Sequence, residues 1–237
     1  MRVLDFDINK GIFQFEMDTL SSTFHSHPAL EIIYSITGCF SVETSHTQEE
    51  GLNFAVIDSN IRHCIVAQDC TVRLLMLEKN NDQLNIVLEQ FGIVLDSGIF
   101  ILNSNERSPN LLENIKQLAA QKSLKTPKDN RVAVCLEIIE THDLEYDSFV
   151  ASLISKVHLS ESRLSHLFKQ HTGVSLKKYF VWVKLKKAIH MVLNNNKSLT
   201  EASFESGFFD QPHMSKAFKT MLGIAPIKAY NSRTVQF

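Results

Sequence analysis

The chain is 237 residues long, 44% hydrophobic and 21% charged, with a formal net charge of −2 at pH 7. Such a length predicts two domains, each able to bury its own core, and the composition excludes a disordered or fibrous chain. No apolar stretch approaches the ~18 residues of a membrane span and no basic-then-apolar leader is present, so the sequence predicts a cytoplasmic protein with no membrane partner. The four cysteines, Cys39, Cys64, Cys70 and Cys135, make no Cys-x-x-Cys pair and are expected as reduced, mostly buried thiols. A thiol switch among Cys39, Cys64 and Cys70 is the competing reading.

The small net charge hides an uneven distribution. Residues 1–129 hold 10 Lys and Arg against 17 Asp and Glu, whereas residues 148–237 hold 13 against 4, a local charge of +9. A basic C-terminal part on an acidic remainder suggests a polyanion-binding module carried by something else. A merely solvated basic face is the alternative.

In chain order, residues 3–6, 11–15, 30–36, 40–44, 53–57, 63–67 and 71–77 read as short strands, rich in β-branched and aromatic types. Turn signals separate them at Thr37-Gly38, Glu50-Gly51 and Asp58-Ser59-Asn60, which predicts a small antiparallel barrel or sandwich. Helices are predicted over 82–91 and 110–121. In the second, Leu111, Leu112, Ile115, Leu118 and Ala119 form a one-sided stripe; such stripes more often pack within their own chain, and the competing reading is a dimer seam through Leu112, Ile115 and Ala119. The polar stretch 121–130, with Pro127, reads as a linker. From Arg131 the chain reads as helical throughout, with helices over 132–140, 148–156, 176–193 and 199–206. The fold class is therefore α+β: a small N-terminal β-barrel over 1–80, a helical connector and linker over 81–126, and an all-α domain over 127–237.

Within the barrel, His25 and His27 stand at i, i+2, with Glu31 following and His63 on a later strand. Alternate residues of a strand share a face, so these four can converge as three nitrogens and one carboxylate on a divalent metal. The spacing His-x-His-x₃-Glu-x₆-Gly, ending at Gly38, looks like the first cupin motif. Asp58-Ser59-Asn60-Ile61-Arg62-His63 departs from the second, which has Pro-x-Gly-x-x-His. The bland reading is that the four close the barrel by hydrogen bonding without metal.

The C-terminal part contains the same helix twice, offset by 50 residues. One copy follows Ser160 and stops at Gly173; the other follows Asp210 and stops at Gly223. Each thus has a side chain suited to capping its first turn and a glycine suited to its end. Leu164, Leu167 and Phe168 face inward in the first copy, leaving Ser162, Ser165, His166 and Lys169 outward with Glu161 and Arg163 on the flanks. In the second, Met214, Ala217, Phe218 and Met221 pack, while Pro212, Lys216 and Lys219 point out and His213 and Ser215 flank them. A short helix and a tight turn precede each copy, which is the helix-turn-helix arrangement. A single pair of this kind is usually an ordinary helical hairpin; two pairs in a +9 segment are not.

On these residues, positions from about 131 to 231 resemble the DNA-binding domain of AraC/XylS-type regulators. Leu159-Ser160-x₃-Leu164-x₂-Leu167-Phe168-Lys169-x₃-Gly173-Val174 matches the first unit of that family. Gly207-Phe208-x-Asp210-Gln211-x-His213-Met214-Ser215-Lys216-Ala217-Phe218-Lys219-x₃-Gly223-Ile224-x-Pro226-x₃-Tyr230 matches the second. Lys184-Leu185-x₂-Ala188 stands where the linking helix has Arg-Leu-x₂-Ala. The departures are Lys184 for Arg, Met214 for Phe, and Ala202-Ser203-Phe204 where Ile-Ala is commoner. The strand-rich segment is similar, more weakly, to the family's cupin-like effector and dimerisation arm.

The resemblance implies a bacterial transcriptional regulator, not an enzyme, with promoter DNA as its partner and RNA polymerase a second partner where it activates. Its two recognition helices would enter successive major grooves about 34 Å apart. DNA contacts are expected from Ser162, Arg163, Ser165, His166 and Lys169 in the first unit, and from Gln211, His213, Lys216 and Lys219 in the second. Lys177 and Lys178 are further phosphate candidates. The barrel would sense a small-molecule or metal effector, form a homodimer, or both. The competing class is a metal-dependent cupin enzyme, resting on His25, His27, Glu31 and His63, fused to a nucleic-acid-binding module.

Overall fold

A computed structural model describes residues 1–79, 83–102, 111–121, 129–141 and 145–226. The chain divides into two compact units, residues 1–124 with 218–237, and residues 125–217.

Ten strands form among the described residues of the first unit: β1 (Arg2–Asp7), β2 (Ile12–Met17), β3 (Leu20–Ser21), β4 (Ala29–Thr37), β5 (Phe40–Thr44), β6 (Gln48–Leu52), β7 (Phe54–Ile57), β8 (His63–Ala67), β9 (Thr71–Glu78) and β10 (Ile99–Leu102). They make a six-stranded sheet in the order β1-β2-β9-β4-β7-β10 and a four-stranded sheet in the order β3-β8-β5-β6. All pairings are antiparallel. Successive residues of a strand point to opposite faces, and the central strands use both. Leu30 and Ile32 of β4, Val56 of β7, and Leu75 and Leu77 of β9 pack on the face that meets helices α1 (Gln83–Glu89) and α2 (Leu111–Gln121). Ile33, Ala55, Ile57, Val72 and Leu74 pack on the other, against Phe40, Val42, Ile65 and Ala67 of the four-stranded sheet. The same parity places Glu31 on the face turned toward the second sheet. The antiparallel two-sheet arrangement matches the expectation.

Three strands escaped the sequence reading. β6 carries Glu50-Gly51, which read as a turn, and has only one buried residue, so its pairing with β5 defines it and its periodicity does not. β3 is two residues long, and β10 is a short apolar run that joins the sheet by pairing with β7, so the strand-forming region extends past residue 80. The stripe on α2 is not a free dimer seam. Leu112, Ile115 and Ala119 are buried at 3%, 0% and 1% exposure within their own chain, because the six-stranded sheet offers them an apolar face. The cysteines are less buried than expected: Cys70 and Cys135 are buried, Cys64 is half-buried and Cys39 is exposed.

Six helices follow among the described residues: α3 (Asn130–Thr141), α4 (Tyr146–Val157), α5 (Glu161–Thr172), α6 (Leu176–Asn194), α7 (Leu199–Glu205) and α8 (Gln211–Leu222). Of the expected linker, residues 122–128 lie outside the described residues, and Asn130 already belongs to α3. The core of the second unit is made by Val132, Leu136 and Ile139 of α3, Phe149 and Leu153 of α4, Leu164 and Phe168 of α5, and Tyr179, Phe180 and Val183 of α6. Phe149 and Phe180 lie 5.0 Å apart between ring centroids, and Phe168 meets Tyr179 edge-on at 5.5 Å. At a rise of about 1.5 Å per residue, the 19 residues of α6 make a rod of roughly 28 Å. Its buried positions fall on nearly all sides, so it is a central strut and not a surface helix.

Candidate nucleic-acid interface and a buried histidine cluster

The turn between α4 and α5 is fixed at both ends. His158 closes α4 in the left-handed region at φ 52°, its N–H donating to Ile154 O. Ser160 then caps α5 by accepting from the Arg163 N–H at 3.4 Å. Gly173 ends α5 at φ 73°, where a side chain would be strained, and its N–H donates to Lys169 O at 2.9 Å. With Leu164 and Phe168 fully buried, the opposite face is set: Ser162, Arg163, Ser165, His166 and Lys169 are all exposed. These small polar and cationic groups have the chemistry to meet base edges and phosphates.

The second pair is held differently. Ser198 and Glu201 form a reciprocal capping box on α7: Ser198 Oγ accepts from Glu201 N–H at 3.2 Å, and Glu201 Oε2 accepts from Ser198 N–H at 2.9 Å. Lys184 of α6 donates to Gly207 O at 2.6 Å, with its ammonium 4.7 Å from the centre of the Phe180 ring. Gly207 sits at φ 81°, the left-handed region that favours glycine, and a Cβ there would crowd Lys184 Cε at 3.1 Å. Asp210 caps α8, accepting from the His213 N–H at 2.7 Å. Met214, Phe218 and Met221 are buried, and Pro212, His213, Lys216 and Lys219 are exposed.

Two expected readers in α8 are constrained. Gln211 is half-buried, and its Oε1 accepts from Thr200 Oγ1 at 2.8 Å, which leaves its amide as the group free to turn outward. The His213 ring meets Phe208 edge-on at 5.3 Å. Lys178 is half-buried, which lowers its pKa, whereas Lys177 is exposed with its ammonium 5.7 Å from the Tyr146 ring centre. Sequence reasoning missed Thr200, because its link to Gln211 joins two helices. It also missed Phe209, which is 83% exposed just before the α8 cap. An aromatic preceding Asp210 was the available signal. Tyr230 lies outside the described residues.

In the first unit, His25, His27, Glu31 and His63 come together, all buried, with one donor atom from each lying within 4.8 Å of all the others. Glu31 comes from β4 and His63 from β8, one from each sheet. His25 and His27 precede β4 and do not share a regular strand face as expected; His25 reaches the cluster through an isolated bridge to His63. Glu31 Oε2 lies 3.3 Å from His27 Nε2 and 3.0 Å from His63 Nε2. Burial pushes the His25 ring down to about 3, with the neighbouring His63 and His27 adding to the effect, and burial likewise lowers His27. For Glu31 burial alone would act upward, but the nearby His27 and His63 rings outweigh it and hold its carboxyl below the usual range. Asn60, whose backbone N–H donates to His27 O, has both side-chain polar atoms buried without a partner.

Comparison with known proteins places the helical part. Residues 153–231 match the family described as a helix-turn-helix domain. The arabinose operon regulatory protein of Escherichia coli K12 is 32% identical over 120 residues, 49% of this chain and 41% of that protein. The Msm operon regulatory protein of Streptococcus mutans is 35% identical over 79 residues, 33% of this chain and 28% of that protein. The chain thus spans less than half the length of these curated relatives. In fold, a crystal structure of ToxT from Vibrio cholerae superposes with a TM-score of 0.59 at 11% identity, covering 95% of this chain and 99% of that one. The α+β architecture is therefore shared along essentially the whole chain.

Proposed function

We propose that residues 153–231, which match the family described as a helix-turn-helix domain, are an AraC-type DNA-binding domain, and that the chain is a sequence-specific DNA-binding transcriptional regulator and not an enzyme. Promoter DNA is its partner, α5 and α8 are its two recognition helices, and the first unit is its effector-sensing or dimerisation arm. The observation that carries this reading is the exposed face of α5. Ser162, Arg163, Ser165, His166 and Lys169 all face solvent from a helix capped at both ends and anchored by fully buried Leu164 and Phe168. Leu164 and Phe168 carry the packing of that helix, and the small polar and cationic groups on its exposed face suit major-groove reading.

In this reading α5 discriminates bases and α8 grips phosphates. The outer face of α8 offers Lys216 and Lys219, but Pro212 has no side-chain donor and Gln211 is partly engaged by Thr200. One chain then reads an asymmetric site, so no palindrome is needed. The test is selection from a random DNA pool with the full chain. The expected product is a motif of two blocks separated by about one helical turn, ~10 base pairs. Binding that is uniform across sequences and lost with modest salt overturns the proposal.

A further inference from the structure

We infer that the tip of α8 reads thymine by apolar contact, with Phe209 and Pro212 supplying the surface that meets thymine 5-methyl groups in the major groove. This deepens the DNA-binding proposal and rests on α8 being a recognition helix. Phe209 stands directly before Asp210, which caps α8 by accepting from the His213 N–H at 2.7 Å. A hydrophobic residue in that position often folds back onto the fourth residue of the helix and is covered there. Here the fourth residue is Met214, buried at 2% exposure, while Phe209 keeps 83% of its surface in solvent. Its neighbour has taken the inward place: Phe208 is 4% exposed, its N–H donates to Ser203 O at 2.9 Å, and its ring meets His213 edge-on. Phe209 is left turned outward, with no ring or cation contact among the described residues.

A single exposed apolar residue is ordinary on a protein surface, so its place is what matters. The N-terminal residues of a recognition helix are the ones that meet base edges. At this end of α8, Pro212 is exposed but its side chain neither donates nor accepts, Gln211 gives its Oε1 to Thr200, and the His213 ring is set against Phe208. Hydrogen-bonding capacity is scarce there, and what the tip presents is the apolar surface of Phe209 and Pro212. The 5-methyl group of thymine is the apolar mark that a base pair carries in the major groove, and phenylalanine is among the side chains that meet it. Charge favours a duplex over a protein as the occupant. Exposed Lys216 follows Pro212 at i, i+4 on the same face of the helix. Residues 148–237 carry +9 as a whole, so the apolar tip is set in a cationic surface that DNA complements.

The test takes the two-block site selected from the random DNA pool and replaces each thymine in turn by deoxyuridine, which removes one methyl group and leaves base pairing intact. The full-length wild type should lose about fourfold in affinity at one or more thymines of a single block, the worth of one buried methyl. Phe209→Ser should bind the thymine and deoxyuridine forms of that block equally, with an unchanged circular dichroism spectrum, and Phe209→Leu, which stays apolar, should keep part of the difference. A wild type indifferent to deoxyuridine at every position, a selected site without thymine, or an undiminished deoxyuridine loss in Phe209→Ser overturns the inference while the DNA-binding reading stands. If that variant keeps the discrimination but loses activation with purified RNA polymerase, the ring belongs to a protein contact. Failure to select any two-block site overturns the DNA-binding reading itself, and this inference with it.

Discussion

In the proposed role of α5, a hydroxyl or imidazole reads by direction and a lysine by charge, and the two kinds of residue fail differently when removed. His166→Ala is expected to cost ~1–3 kcal/mol at particular base pairs and nothing on unrelated DNA, checked by binding isotherms on single-substitution sites. Lys169→Ala should weaken all sequences alike and flatten the log K against log salt slope by about 0.9. If His166→Ala behaves like Lys169→Ala, the imidazole contacts phosphate and the division of labour is wrong. Phe209 makes a third case. Since it is 83% exposed, Phe209→Ser should change stability by less than about 0.5 kcal/mol, so any loss of DNA affinity reports contact with the complex. The exposed set on α5 was legible from the 3.6-residue period alone, because an amphipathic helix assigns its outward face once its inward face is known. The engagement of Gln211 by Thr200 was not legible, since the two meet only when α7 and α8 pack.

Helix ends and turns decide how α5 and α8 are presented. Ser198→Ala removes the capping box of α7 and is expected to cost about 1 kcal/mol of unfolding free energy in urea titration. Lys184 reaches from the central strut to the carbonyl of Gly207, so it positions the turn that launches α8. Lys184→Ala should reduce affinity for the two-block site while leaving binding to the α5 block alone within about twofold, and Lys184→Arg should restore much of the loss. Equal losses on both blocks would point to general destabilisation of the helical unit. Caps were readable in the sequence because Ser, Asp and Gly act on their own neighbours. β3, β6 and β10 were not, since short or edge strands carry little periodicity and exist only by pairing with β8, β5 and β7.

At the scale of the molecule, the +9 of residues 148–237 against the acidic remainder fits the proposed division between a DNA-binding part and a part that does not attract nucleic acid. The sequence by itself determined the repeated helix-turn-helix pair, its capped ends, its outward faces and its charge, because each depends on residues within a few positions of one another. It also marked out His25, His27, Glu31 and His63. Only the tertiary structure decided three further points. Both faces of the central sheet are buried, so the α2 stripe is consumed inside its own chain and offers no dimer seam. The parity of β4 turns Glu31 toward His63 on the second sheet. And a donor atom from each of His25, His27, Glu31 and His63 comes within 4.8 Å of the others, a meeting that spacing cannot encode because Glu31 and His63 stand on different sheets.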